Sequence, residues 1–103
     1  MLAIISGSAR GRRLKTLEGE ATRPTAAKVR AALMSMLAPW LPEASWLDLY
    51  AGSGAIGLEA ASRGATRVVL VEQAAPAIAV IRENLALTKL EGVELLPLAV
   101  EKA

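Results

Sequence analysis

The stretch LDLYAGSGAIGLEAA, residues 47–61, places an acid, Asp48, four residues before the first of three glycines, Gly52, Gly54 and Gly57. This is the GxGxxG spacing of a turn that leads a strand into a helix and brings backbone N–H groups up to a ligand. Gly52 supplies the positive φ of the turn, Gly54 lets a ligand approach the backbone, and Gly57 lets the helix sit close on the strand. The start of the following helix then offers free N–H groups and a partial positive charge. So far the pattern suits NAD or FAD as well as any other nucleotide cofactor, and the same spacing also serves as a plain tight turn. Asp48 narrows the choice. A pyrophosphate resting on this loop would face a carboxylate at the same strand end, whereas a cationic group there would be attracted. S-adenosylmethionine carries a sulfonium and an ammonium group and no phosphate. Glu72, twenty residues after Gly52, stands where a carboxylate accepts hydrogen bonds from ribose hydroxyls. The candidate cofactor set is therefore Asp48, Tyr50, Ala51, Gly52, Ser53, Gly54, Gly57, Glu72 and Gln73.

What is missing limits the chemistry further. The 103 residues contain no cysteine and no histidine, which removes disulfides, thiolate metal sites and the usual general base. No metal site is expected. The length allows one small domain, and no apolar run reaches the 18 or so residues of a membrane span. A cytoplasmic protein with no membrane contact is the default reading. The net charge of +2 conceals an asymmetry. Residues 1–30 hold seven bases against two acids, or +5, and residues 31–103 hold five bases against eight acids, or −3. Arg10, Arg12, Arg13, Lys15, Arg23, Lys28 and Arg30 thus form a candidate polyanion-binding arm, the alternative being a merely solvated terminus.

The elements that must position these residues follow from pattern. Leu2–Ser6 and Arg10–Leu17 read as two strands of a basic hairpin, with a turn at Gly7 and Ser8. A helix begins at Thr25, a residue suited to capping it, and carries an apolar stripe of Val29, Leu33, Met36 and Leu37 until Pro39 stops it. Trp46–Tyr50 is a strand, Ala55–Arg63 a helix closed by Gly64, and Arg67–Glu72 a strand whose aliphatic run suits burial on both faces. Pro76 marks the first turn of a helix with Ile78, Ile81, Leu85 and Thr88 inward, Gly92 breaks it, and Val93–Val100 is a third strand. The chain divides into a basic arm, 1–24, and a helix with a cofactor-binding unit, 25–103. The fold class is α/β: the first half of a Rossmann-like sheet, β-α-β-α-β, preceded by a basic hairpin and one helix.

DLYAGSGAIGLEAASRGA resembles the cofactor motif of class I methyltransferases. With ARGRRL and RPTAAKVRAALMSML before it, and VVLVEQ and IRENL after it, the whole chain resembles the N-terminal portion of the bacterial 16S rRNA guanine-N2 methyltransferases, the RsmD type. The resemblance implies that S-adenosylmethionine methylates the exocyclic N2 of a guanine, that Asp48 and Gly52 to Gly57 lie against its methionine end, and that Glu72 binds its ribose. It places Arg23 and Thr25 at the cofactor mouth or RNA entrance. It also assigns the basic arm to 16S rRNA or a small-subunit particle, in agreement with the charge asymmetry. The family's catalytic Asp/Asn-Pro-Pro-Tyr/Phe motif is absent, since all five prolines are isolated. No catalytic residue is therefore assigned in this chain, which alone is expected to be inactive. The family's strand order would leave one edge of the first strand unpaired here, for a completing chain or for self-association to cover. Two further readings stay open: an RNA-binding module without catalysis, and a fragment of a nicotinamide-dependent oxidoreductase.

Overall fold

The computed structural model describes residues 2–17 and 24–102, and for residues 24–27 the backbone alone. Three parallel strands, β1 (Ser45–Asp48), β2 (Arg67–Val71) and β3 (Val93–Leu96), pair in chain order with β2 central. Trp46 pairs with Val68 and Val68 with Val93, so that Trp46, Val68, Val93 and their neighbours Leu70 and Leu95 share one face. Three helices supply the cover: α1 (Pro24–Leu37), α2 (Ala55–Ser62) and α3 (Ala75–Thr88). Met34 of α1, Ala60 and Ala61 of α2, and Ile81 of α3 meet Val68 and Leu70 in a single core. The strands and helices arise where residue type demands: a Val-Val-Leu-Val run for β2, Pro76 within the first turn of α3, and left-handed Lys89 (φ 54°) ending α3.

Several elements differ from the sequence reading in informative ways. The opposite sheet face, with Leu47 and Val69, has no helix among the described residues, and Leu47 is 61% exposed. The β2 strand is thus buried on one face rather than both. Its Val71 is fully enclosed, but Val69 is only partly covered. The third strand ends at Leu96, before Pro97, and a short 3-10 turn occupies Val100–Lys102. In α1 the buried stripe is rotated by one residue from the expected one. Arg30, Met34 and Leu37 turn inward, while Val29 and Met36 are exposed, the latter by 72%. The more apolar stripe loses because Arg30 finds an acceptor inside, as described below.

The arm packs against the body through residues 2–14. It forms an antiparallel hairpin with a single bridge between Ala3 and Arg13, flanked by Ile4 N–H to Arg12 O and Leu14 N–H to Leu2 O at 2.9 Å each. Leu2, Ile4, Ala9 and Leu14 then pack on Ala55 and Leu58 of α2. Polar contacts fix it further. The buried Ser62 hydroxyl donates to Ser6 O at 2.7 Å and accepts from Ala9 N–H at 2.9 Å. Helix α2 therefore has the sheet on one side and the hairpin on the other. Its sequence, AIGLEAAS, explains how: small residues permit close approach, and apolar residues on more than one face let it be buried on more than one side.

Candidate functional site

The glycine loop sits at the carboxyl end of β1, where open α/β sheets bind ligands. Gly52 (φ 60°) and Gly54 (φ 83°) both take left-handed conformations that other residues avoid, and Gly54 is the residue from which α2 starts. A Cβ on Gly57 would run into the Leu70 side chain and crowd Val68 at 3.1 Å, so this glycine sets the distance between α2 and the sheet. Gly57 is thus a packing residue. The Ala51 and Ser53 side chains are also buried, beneath the loop, with Ala51 N–H donating to Val71 O at 3.1 Å. Both side chains fill the space between loop and core.

Two carboxylates organise the ligand side. Glu72, at the end of β2, accepts Gly52 N–H at 2.8 Å through Oε1. Its Oε2 accepts Gln73 N–H at 3.1 Å and Ala74 N–H at 3.0 Å. Glu72 thereby ties the start of α3 to the glycine loop. A carboxylate offers about four acceptor positions, so one on Oε1 stays free for an incoming hydroxyl. Asp48 is half-buried and accepts Tyr50 N–H at 3.1 Å. Burial pushes its carboxyl above the ordinary value, the Tyr50 bond opposes the rise, and the negative Glu72 nearby adds to it. Both groups would be relieved by a cation between them. The site's anionic charge suits a sulfonium or ammonium ligand and opposes a pyrophosphate.

Tyr50, Glu72 and Gln73 line a cleft of about 130 Å³ together with Leu49, Leu98, Val100 and Glu101. Small-molecule sites usually enclose about 300–1,000 Å³, so this cleft suits one end of a nucleoside-sized ligand. Tyr50 is 78% exposed, an aromatic wall open to solvent. A larger groove of about 620 Å³ lies at the opposite end of the sheet, among Ser8, Arg12, Thr66, Thr88, Lys89 and Gly92. It flanks the starts of β2 and β3 and contains none of the glycine-loop residues, so the smaller cleft is the candidate site.

The basic residues divide into two groups. Arg10, Arg12, Arg13 and Lys15 are exposed along the hairpin, and Lys28 is exposed on α1. Arg12 Nη1 also donates to Leu87 O at 3.4 Å. Arg30 is the correction: it is 8% exposed, its Nη2 donates to Ala3 O at 3.1 Å, and its Nε lies 3.9 Å from Glu59 Oε1. It anchors the arm and, unlike the other five described bases of this set, is turned away from solvent. Arg23 and the Thr25 side chain lie outside the described residues.

Two groups that sequence reading missed hold this arrangement together. Glu59 is fully buried on α2, accepts Ile5 N–H at 2.8 Å and Ser6 N–H at 3.1 Å, and pairs with Arg63 Nε at 2.9 Å. Asn84, fully buried on α3, bonds to the backbone of Lys15 and of Ser53. A signal existed for each. Glu59 is the lone charge in an otherwise apolar helix, and Asn84 interrupts the apolar stripe of Ile81 and Thr88 at i+3 and i−4 spacing.

Among the described residues no group of His, Cys, Asp or Glu is arranged to hold a metal ion, and no helix is long and apolar enough to cross a membrane. Residues 2–102 match the family described as conserved hypothetical protein 95. The chain is 42% identical over 88 residues to ribosomal RNA small subunit methyltransferase D of Escherichia coli K12, an alignment that takes 85% of this chain and 44% of that protein. A hypothetical protein from Thermus thermophilus superimposes with a TM-score of 0.86 at 39% identity, over 99% of this chain and 58% of that one. Precorrin-6Y C5,15-methyltransferase of Geobacter metallireducens shares the fold more distantly, with a TM-score of 0.67 at 25% identity over 82% of this chain and 43% of its own. The chain spans about half the length of the curated relatives it matches. With its parallel sheet, glycine loop and docked hairpin, it belongs to the conserved hypothetical protein 95 family, the RsmD family, and has the Rossmann-like α/β fold of class I methyltransferases.

Proposed function

We propose that the protein carrying this chain methylates the exocyclic N2 of a guanine in 16S rRNA with S-adenosylmethionine as methyl donor, and that this chain contributes the cofactor site and the RNA-binding arm. The observation that carries the cofactor reading is the pair of carboxylates, Asp48 and Glu72, beside a glycine loop at the carboxyl ends of parallel strands. The methyl transfer itself is supported by the names of the relatives. When bound, the cofactor supplies a methyl group activated on a positively charged sulfur. Asp48 holds the cationic amino-acid end, Glu72 accepts one ribose hydroxyl through its free Oε1 position, and Tyr50, Gln73 and Glu101 bound the nucleoside side. Gly52 and Gly54 keep the loop backbone close to the ligand.

The arm presents Arg10, Arg12, Arg13 and Lys15 to RNA phosphates, and Lys28 extends that surface on α1. No residue of this chain is assigned to take the proton from the guanine or to stack on the base. The bare face of Leu47 and Val69 and the outer edge of β1 offer a surface that a completing chain or self-association would cover.

The test is direct. The full-length protein should gain thermal stability with S-adenosylhomocysteine and none with NAD, and the gain should vanish in D48A. It should also convert guanine to N2-methylguanine in 16S rRNA, read by mass spectrometry of nucleosides. Stabilisation by NAD alone, or a D48A variant that binds S-adenosylhomocysteine like the wild type, would overturn the reading.

A further inference from the structure

Among the described residues, a buried side chain joins the basic arm to the glycine loop. Asn84 Oδ1 accepts Lys15 N–H at 2.6 Å, and its Nδ2 donates to Lys15 O at 3.0 Å and to Ser53 O at 2.9 Å. The amide thus has both of its donors engaged, one on each of the two elements that the proposed function assigns to different ligands. Asn84 is itself fully buried, so water cannot replace a lost bond. Two residues further along the arm, the Leu17 side chain lies 3.9 Å from where a Cβ of Gly52 would stand. The arm therefore leaves the hairpin directly over the cofactor loop. Nearer its start, residues 3–9 of the arm are held by groups outside that loop: Ser62 at the hairpin turn, Glu59 at Ile5 and Ser6, and Arg30 at Ala3.

We propose that Asn84 is a positioning residue that couples the two sites: RNA bound to the arm and cofactor bound to the loop each change the affinity of the other through the Lys15–Asn84–Ser53 bridge. The inference rests on the functional reading above. Its physical basis is that the bridge's geometry is shared. A displacement of the Ser53 carbonyl on cofactor binding moves the Asn84 amide, whose remaining bonds fix both backbone polar groups of Lys15. Lys15 carries one of the exposed cations, and Arg13 lies two residues before it in the hairpin. By linkage the effect is reciprocal, and coupling of this kind commonly amounts to about 5–150-fold in affinity.

The experiment measures S-adenosylhomocysteine binding to the full-length protein by titration calorimetry, with and without a saturating RNA oligonucleotide copied from a 16S rRNA hairpin. Wild type should show at least about a fivefold change in cofactor affinity between the two conditions. N84A should bind each ligand measurably with a coupling factor near one. S62A, which loosens the arm without touching the glycine loop, should keep the wild-type factor. Equal coupling in wild type and N84A overturns the inference, as does equal loss of coupling in N84A and S62A, which would mark a purely structural role. If wild type binds both ligands without coupling, the inference fails and the functional reading stands. If it binds neither, both fail. Should N84A not fold, amide exchange of the wild type decides: S-adenosylhomocysteine alone should alter exchange at Lys15 N–H, and an unchanged rate overturns the proposal.

Discussion

Replacing Glu59 by Gln should unfasten the arm and cost the protein much of its stability. The carboxylate is fully buried and serves four groups: the Ile5 and Ser6 amides, the Arg63 guanidinium at 2.9 Å and the Arg30 guanidinium at 3.9 Å. Glutamine keeps one carbonyl oxygen and replaces the other by an NH₂ that cannot accept from Ser6 or Arg63. It also removes the one negative charge beside Arg30 among the described residues; the Arg30 side chain is 9% exposed and its Nε already has no hydrogen-bond partner there. Removing one member of a buried ion pair typically costs about 3–5 kcal/mol, because the other charge remains desolvated. Each kcal/mol moves the midpoint of a domain this size by about 4–8 °C, so the melting temperature should fall by roughly 12–40 °C. Urea denaturation of the full-length protein gives the free energy, and amide exchange at Ile5 and Ser6 reports whether the arm has detached. Adding Arg30→Met to E59Q should recover part of the loss by removing the stranded cation. A cost below about 1 kcal/mol, with Ile5 and Ser6 still protected, would refute the idea that this carboxylate fixes the arm.

Asp48 should trade stability for ligand binding. Its carboxyl is raised in the folded protein above the ordinary 3.8, chiefly by burial. The folded state therefore holds the proton more tightly, and the stabilisation present below pH 3.8 is lost as pH rises through the folded value. D48N should be more stable than wild type at pH 7 and lose that advantage in acid, while binding S-adenosylhomocysteine more weakly, as paired urea and calorimetric titrations across pH would reveal. Gly57→Ala should force α2 off Leu70 and destabilise by about 1–3 kcal/mol in urea, whatever ligand is present. Arg13→Ala should weaken RNA binding and lower the slope of log affinity against log salt by about 0.7 for a single strand, without changing the melting temperature. Arg30→Ala should do the reverse, losing stability with no change in that slope.

The local chemistry of the site was legible along the chain. A left-handed loop must be glycine at Gly52 and Gly54, an aliphatic run such as Val68–Val71 must be a buried strand, and prolines and glycines mark where helices begin and end. Order and spacing alone also put Asp48 and Glu72 at neighbouring strand ends, because parallel strands joined by helices bring their carboxyl ends together. Tertiary packing decided the rest. Periodicity finds an apolar stripe on α1 but not what lies opposite it, so Arg30 displaced Val29 and Met36 from the inner face once Ala3 O and Glu59 were within reach. The free charge of the arm could not be told from its anchoring charge, since Arg13 and Arg30 differ only in their neighbours. The bridge from Lys15 to Ser53 through Asn84 joins residues 69 and 31 positions apart, a proximity that no local pattern encodes. The sequence determined the glycine loop, its carboxylates and the basic arm; only the fold determined that loop and arm are fastened to each other, because a buried amide must satisfy its bonds with whatever backbone the packing brings to it.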